Sequence, residues 1–334
     1  MMRISPEEFV LWSEYIYELT GIVLPANKNY LIENRLSELA FELNCASFQE
    51  LLFKCRYSAE TQLVEKVINR ISTQETSFFR DRPVYEALER LLIQEIIPAK
   101  RRAAVPGLPL RLKVWSTACS HGQEPYSLAM VLSECLPNLE DWYVSILASD
   151  IADNAFKRAS IGRYSELEVQ RGLSPYYLEK YFQPAGNGSW LVKDKIRRLV
   201  NFQRMNLVAD SFSHLGPFDI IFCRNVAIYF DHPTKIRLFE KLEKVLTPDG
   251  KLFLGATENL TQIVTIFQPL YRYNVIYYAK TNPVSPPAIT SFAPPAGSVL
   301  PGTTAPGGES SSRNQATGPG KPGSNPAALA FYKA

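Results

Sequence analysis

Residues 113–130, KVWSTACSHGQEPYSLAM, hold the side-chain types of a nucleotide-binding turn. A short apolar strand at 112–115 runs into small residues at 116–122, where a ligand can approach the backbone closely. A helix follows. Pro125 suits its first turn, because proline has no N–H to leave unbonded and its φ is pre-set. Glu124 lies at the positive end of the helix. Leu128, Val131 and Leu132 have core-facing spacing. A strand, a small-residue turn and a helix N-terminus make a nucleotide cradle in an α/β sheet. Only Gly122 represents a glycine fingerprint, so this stretch alone fits a plain β–α turn equally well.

A second carboxylate, Asp150, ends the apolar stretch at 144–150. At the carboxyl edge of a sheet it can accept hydrogen bonds from both hydroxyls of a ribose. On local evidence it could equally cap the helix that begins at Asp153. Arg80 lies in 73–82, TQETSFFRDR, which breaks helical periodicity. Two aromatics there can anchor the segment and leave Arg80 free to point elsewhere. The alternative is a surface pair with Asp81, worth little energetically. Arg224 and Asn225 end a third apolar strand at 218–225, and Tyr229 follows it.

The elements that must position these groups read as two domains. Residues 1–72 form a helical bundle, starting from Ser5-Pro6-Glu7-Glu8. Its helices are expected near 9–19, 29–43, 48–55 and 60–71. A helix at 84–100 leads into alternating strands and helices, which implies a mostly parallel sheet covered on both faces. Further elements are a helix at 153–159, a helix at 233–246, the turn Thr247-Pro248-Asp249-Gly250, a strand at 251–256 and a last strand at 271–280. Between 164 and 206 the alternation pauses. A helix at 174–182 and antiparallel strands at 190–192 and 199–204 are expected there, as an inserted β-subdomain carrying Lys193, Lys195, Arg197 and Arg198. Residues 282–322 are rich in Pro, Gly, Ser and Thr and are expected to be a disordered linker. Residues 325–334 regain helix-forming character, as the start of a possible further helical domain.

Composition excludes several classes. The net charge of +3 is too small to argue for nucleic acid. No apolar run approaches a membrane span, and 1–20 lacks a signal-peptide layout. The five cysteines are widely spaced without a C-x-x-C, which fits free thiols in a reducing compartment. His121, His214 and His232 have no metal-ligand spacing, so no metal is expected.

In order along the chain, Thr76 to Asp81, Trp115 to Ser127, Ala148-Ser149-Asp150-Ile151, Asn206-Leu207, Gly216-Pro217-Phe218-Asp219, Phe222 to Asp231, Pro248-Asp249-Gly250 and Glu258-Asn259 resemble the CheR family of chemotaxis receptor methyltransferases. The resemblance covers roughly residues 5–281. It implies an α/β fold: a Rossmann-like class I methyltransferase domain at 73–281, with an inserted small β-subdomain at 164–206, preceded by an all-α domain at 1–72. It implies transfer of a methyl group from S-adenosylmethionine to glutamates on the cytoplasmic helical region of a methyl-accepting chemoreceptor. The products are glutamate methyl esters and S-adenosylhomocysteine.

By this resemblance Gln74, Thr76, Arg80, Glu124, Asp150, Asn206, Leu207, Arg224 and Asn225 bind the cofactor. Arg80 and Tyr229 are the expected catalytic residues, the first orienting the acceptor carboxylate with its planar fork and the second lining the same pocket, with a plain core aromatic as the competing reading of Tyr229. A glutamate with pKa near ~4.3 is already ionised at neutral pH, so in-line attack needs no general base. A cytoplasmic location is expected, with neither nucleic acid nor membrane insertion. The chain departs from its relatives at Gln74 and Gln123, where many carry Asn and Glu. Its bundle sets seven basic residues against ten glutamates, which weakens electrostatic steering toward an acidic receptor. The turn at 186–188 is short beside relatives that grip a receptor-tail peptide, so no such tethering is expected. Two other readings are a methyltransferase for another protein or a small molecule, and a non-catalytic cofactor-binding scaffold.

Overall fold

The computed structural model describes residues 2–57, 61–136 and 138–281. The expected linker at 282–322 and the helix-forming stretch at 325–334 lie outside the described residues. The bundle comprises α1 (Pro6–Thr20), α2 (Asn29–Glu42), α3 (Phe48–Tyr57) and α4 (Thr61–Ile71). A capping box opens α1: the Glu8 N–H donates to Ser5 Oγ (3.2 Å) and the Ser5 N–H to Glu8 Oε2 (2.9 Å). Trp12 is fully buried at the centre and its indole N–H donates to the Phe48 carbonyl (2.9 Å). Ile16, Ile32, Leu36, Leu39 and Leu51 pack around it.

Helix α5 (Arg82–Leu91) passes through a π turn (Leu92–Ile96) into α6 (Ile97–Arg102). The sequence reads as one regular helix here. Pro98 explains the irregularity, since it can donate no hydrogen bond and its ring crowds the preceding turn. The Ile97 N–H reaches back to the Leu92 carbonyl instead.

The rest of the chain runs β1 (Leu110–Ser116), α7 (Gln123–Cys135), β2 (Trp142–Asp150), α8 (Asp153–Ile161), β3 (Arg163–Ser165), α9 (Glu166–Gln170), α10 (Pro175–Tyr181), β4 (Phe182–Pro184), β5 (Ser189–Val192), α11 (Asp194–Arg197), β6 (Val200–Arg204), β7 (Phe218–Cys223), α12 (His232–Val245), β8 (Leu246–Leu254), β9 (Phe267–Arg272) and β10 (Val275–Lys280). Seven strands form one sheet in the order β6-β2-β1-β7-β8-β10-β9. The first five are parallel, and β10 runs antiparallel to both its neighbours. Strand order reverses between β1 and β7, which places a ligand crevice at their carboxyl ends. Every residue of β7 is buried, as a central parallel strand requires.

Three differences from the sequence reading have physical causes. The sequence pattern places residues 199–204 in the inserted subdomain, yet β6 pairs with β2 as an edge of the main sheet. An edge strand is half exposed, so its apolar–polar alternation resembles that of a small antiparallel sheet. The inserted sheet is β3-β5-β4 alone. The last strand is a hairpin, broken at Tyr273-Asn274, where both residues have positive φ (53° and 63°). That is a two-residue turn without the usual glycine. The turn at 247–250 is an irregularity inside β8, between the pairs Phe218–Leu246 and Ile220–Lys251.

The linker at 73–81 is pinned by Phe78, which is buried against Tyr164 and Phe182 with ring centroids 4.9 and 5.5 Å away. Gly172 makes this possible: its φ is +105°, and a Cβ there would collide with the Phe78 carbonyl. We expect Gly172→Ala to lower unfolding free energy by about 1–3 kcal/mol. An unchanged midpoint in urea denaturation would contradict that packing.

Candidate active site

A cavity of about 370 Å³ opens where the carboxyl ends of β1, β2 and β7 meet the helical bundle. Gln74, Thr76, Arg80, Glu124, Asp150, Asn206, Leu207, Arg224, Asn225 and Tyr229 all line it. The sequence did not point to the opposite wall. It comes from the bundle: Thr20, the stretch 22–25, Lys28, Leu31 and Arg35. That wall is stitched to the sheet domain. The Val23 N–H donates to the Tyr229 carbonyl (2.9 Å), Ile22 forms a β-bridge with Phe230, and Asn206 Nδ2 donates to the Leu19 carbonyl (2.8 Å).

Asp150 is buried at the end of β2. Its Oδ2 accepts the Ser120 N–H (2.8 Å) and its Oδ1 the Ala152 N–H (3.0 Å). The carboxylate thus locks the turn after β1 and also leads the chain toward α8. Each oxygen keeps a lone pair for a ligand hydroxyl. Burial raises its pKa, opposed by the Ala152 and Ser120 N–H groups and the Gln74 amide. Thr117, Ala118 and Ser120 bring small residues to the cavity. Gly122 does not: its φ of +94° packs it against Ala159 and the Tyr164 hydroxyl.

Glu124, in the first turn of α7, accepts from Ser116 Oγ (2.7 Å) and Arg224 Nη1 (3.0 Å). Burial raises its pKa, while Arg224 and Ser116 act to hold it down. Arg224 is enclosed. Its Nη2 also donates to Asp81 Oδ2 (2.5 Å) and to the Arg80 carbonyl (3.0 Å). Burial works against its charge, but Glu124, Tyr85 and Asp81 raise its pKa above the ordinary arginine value. Asp81 is therefore the partner of Arg224 and not of Arg80. Sequence reasoning missed that role, which only the contact with Arg224 reveals. The Arg80 guanidinium donates to the Glu75 carbonyl (2.9 Å), and among the described residues no carboxylate pairs with it. Tyr229 is 36% exposed at the rim. Asn206 spends its side chain on the Leu19 carbonyl and on the N–H groups of Val208 and Ala209, which leaves little of it for a ligand.

A family model described as "CheR methyltransferase, SAM binding domain" matches residues 74–274, and one described as "CheR methyltransferase, all-alpha domain" matches residues 7–72. The chain belongs to the CheR methyltransferase family. It is 37% identical over 284 residues to Chemotaxis protein methyltransferase 1 of Pseudomonas aeruginosa, spanning 84% of this chain and 100% of that one. It is also 37% identical over 288 residues to the Chemotaxis protein methyltransferase of Vibrio parahaemolyticus, spanning 84% and 99%.

S-adenosylmethionine is the cofactor of this CheR methyltransferase. The cavity fits it chemically. Gln74 Oε1 is buried without a hydrogen-bond partner among the described residues, and Asp150 presents lone pairs for ribose hydroxyls. No group of three or more His, Cys, Asp or Glu side chains among the described residues is arranged to hold a metal.

Asp150→Ala should weaken cofactor binding at least about tenfold in calorimetry, the loss of hydrogen bonds to a charged acceptor. The raised pKa of Asp150 sets the sign of the pH effect. The binding form is the carboxylate, so affinity falls as pH drops through a window above the ordinary aspartate range near ~3.9. Equal affinities for both proteins across that window would remove Asp150 from the site.

Proposed function

We propose that this CheR methyltransferase esterifies glutamate side chains on the helical cytoplasmic region of a chemoreceptor. The observation carrying this reading is Arg80. Its guanidinium lines the cavity without a carboxylate partner, while the neighbouring Asp81 is committed to Arg224. A planar fork with donors to spare suits bidentate capture of an acceptor carboxylate. When bound, the cofactor supplies an electrophilic methyl group on a sulfonium.

The chain's own residues do the rest by binding and orienting. Asp150 and Gln74 hold the ribose end, and Glu124 with Arg224 frames the amino-acid end. Tyr229 confines the acceptor from the rim. The stretch 22–25 excludes water from the far side. No histidine is among the described lining residues, and an ionised glutamate needs no base to accept a methyl group. Catalysis then rests on alignment, which can supply up to about 7–11 kcal/mol.

Part of the positive charge of the bundle is already neutralised within it. Its Arg3, Lys54, Arg56 and Arg70 are already paired with Glu33, Glu50, Glu18 and Glu38/Glu42. Those pairs favour a second reading, methylation of a different protein acceptor. The short inserted sheet supports function without tethering to a receptor tail. Among the described residues no helix is long and apolar enough to cross a membrane, which agrees with a cytoplasmic setting.

Labelled cofactor and receptor-enriched membranes separate these readings. Base-labile label on a receptor band supports the first and label on another band the second. Bound cofactor without any transfer would sink both. Arg80→Ala should lower kcat about a hundredfold, and a near-normal rate would refute its role.

A further inference from the structure

We propose that Glu258 is the positioning residue for the cavity wall that carries Asn225 and Tyr229. The inference rests on the reading that Tyr229 faces the acceptor. Glu258 does not line the cavity itself. Its Oε2 accepts the N–H groups of Asn225 (2.6 Å) and Gly255 (2.8 Å), and its Oε1 accepts the Ile228 N–H (3.2 Å). One carboxylate therefore takes three backbone donors, two from the loop after β7 and one just past β8.

That loop needs holding. Asn225 has a φ of 56°, a left-handed conformation that asparagine tolerates but that the surroundings must enforce. It leads straight into the short 3₁₀ turn Ala227–Tyr229. Gly255 gives the carboxylate room: a Cβ there would lie 2.7 Å from both Glu258 Oε2 and Asn225 Nδ2. The other end of the loop is fastened by the Val23–Tyr229 hydrogen bond and the Ile22–Phe230 bridge. Glu258 thus supplies the fastening on the sheet side. Glutamine replaces it only in part: with its amide oxygen toward Asn225 and Gly255, its NH₂ faces the Ile228 N–H, donor against donor.

The test uses the full chain with Glu258→Gln, Gly255→Ala and Tyr229→Phe, singly and with each of the first two added to the third. Hydrogen exchange at the amides of Asn225 and Ile228 should speed up in Glu258→Gln. Its kcat should fall about tenfold or more, the effect of a wall displaced by a fraction of an ångström. Gly255→Ala should act in the same direction while keeping the carboxylate. In the Tyr229→Phe background, either change should cost less than it does alone, because one of the groups being positioned, the Tyr229 hydroxyl, is already gone. Unchanged exchange would overturn the proposal. So would faster exchange with fully additive losses in kcat, which would leave Glu258 a merely structural cap. If the acceptor is not a receptor glutamate, the proposed function fails, and the same cycle on the true acceptor still decides the role of Glu258.

Discussion

A single buried cation holds the site together. The Arg224 side chain is 1% exposed, and desolvating a charge to that degree costs several kcal/mol unless it is fully paired. Asp81 reaches it from the linker, Glu124 from the first turn of α7, and the Arg80 carbonyl completes the set. Two segments far apart in sequence, the linker and the start of α7, must therefore converge on the end of β7. Its Nε has no partner among the described residues, so the arrangement is not optimised for stability alone. What it secures is geometry. Arg80 is held by its own backbone, and its side chain is left to face the cavity.

The same logic extends outward. Asp150 locks the turn after β1 through Ser120, and Glu258 holds the loop after β7 through Asn225 and Ile228. Carboxylates accepting backbone N–H groups set the shape of a cavity that alignment chemistry needs to be rigid. The bundle closes the far side with an apolar stretch, and its bonds to Tyr229 and Phe230 make it part of the site.

Much of this was legible in the chain. The strand, turn and helix over 112–130 follow from local residue types, as does the strand ending in Asp150. The ten residues singled out from the sequence all lie on one cavity. What stayed hidden depends on contacts between distant segments. Nothing in the local pattern of 22–25 tells that it faces the sheet. Asp81 reads as a surface neighbour of Arg80 until Arg224 is seen beside it. The edge strand β6 imitates a small antiparallel strand, because half-exposure gives the same alternation in both. Tyr273-Asn274 lacks the glycine that usually announces a two-residue hairpin. Pro98 was visible, but a helix can answer a proline by kinking, ending or widening into a π turn.

A crystal structure of the full chain with S-adenosylhomocysteine tests the central claim most directly. The account predicts the ribose hydroxyls on Asp150, the product inside the cavity beside Glu124 and Arg224, and the Arg80 fork at the open end where an acceptor carboxylate would enter. Product bound elsewhere, or a cavity filled by its own side chains, would contradict it.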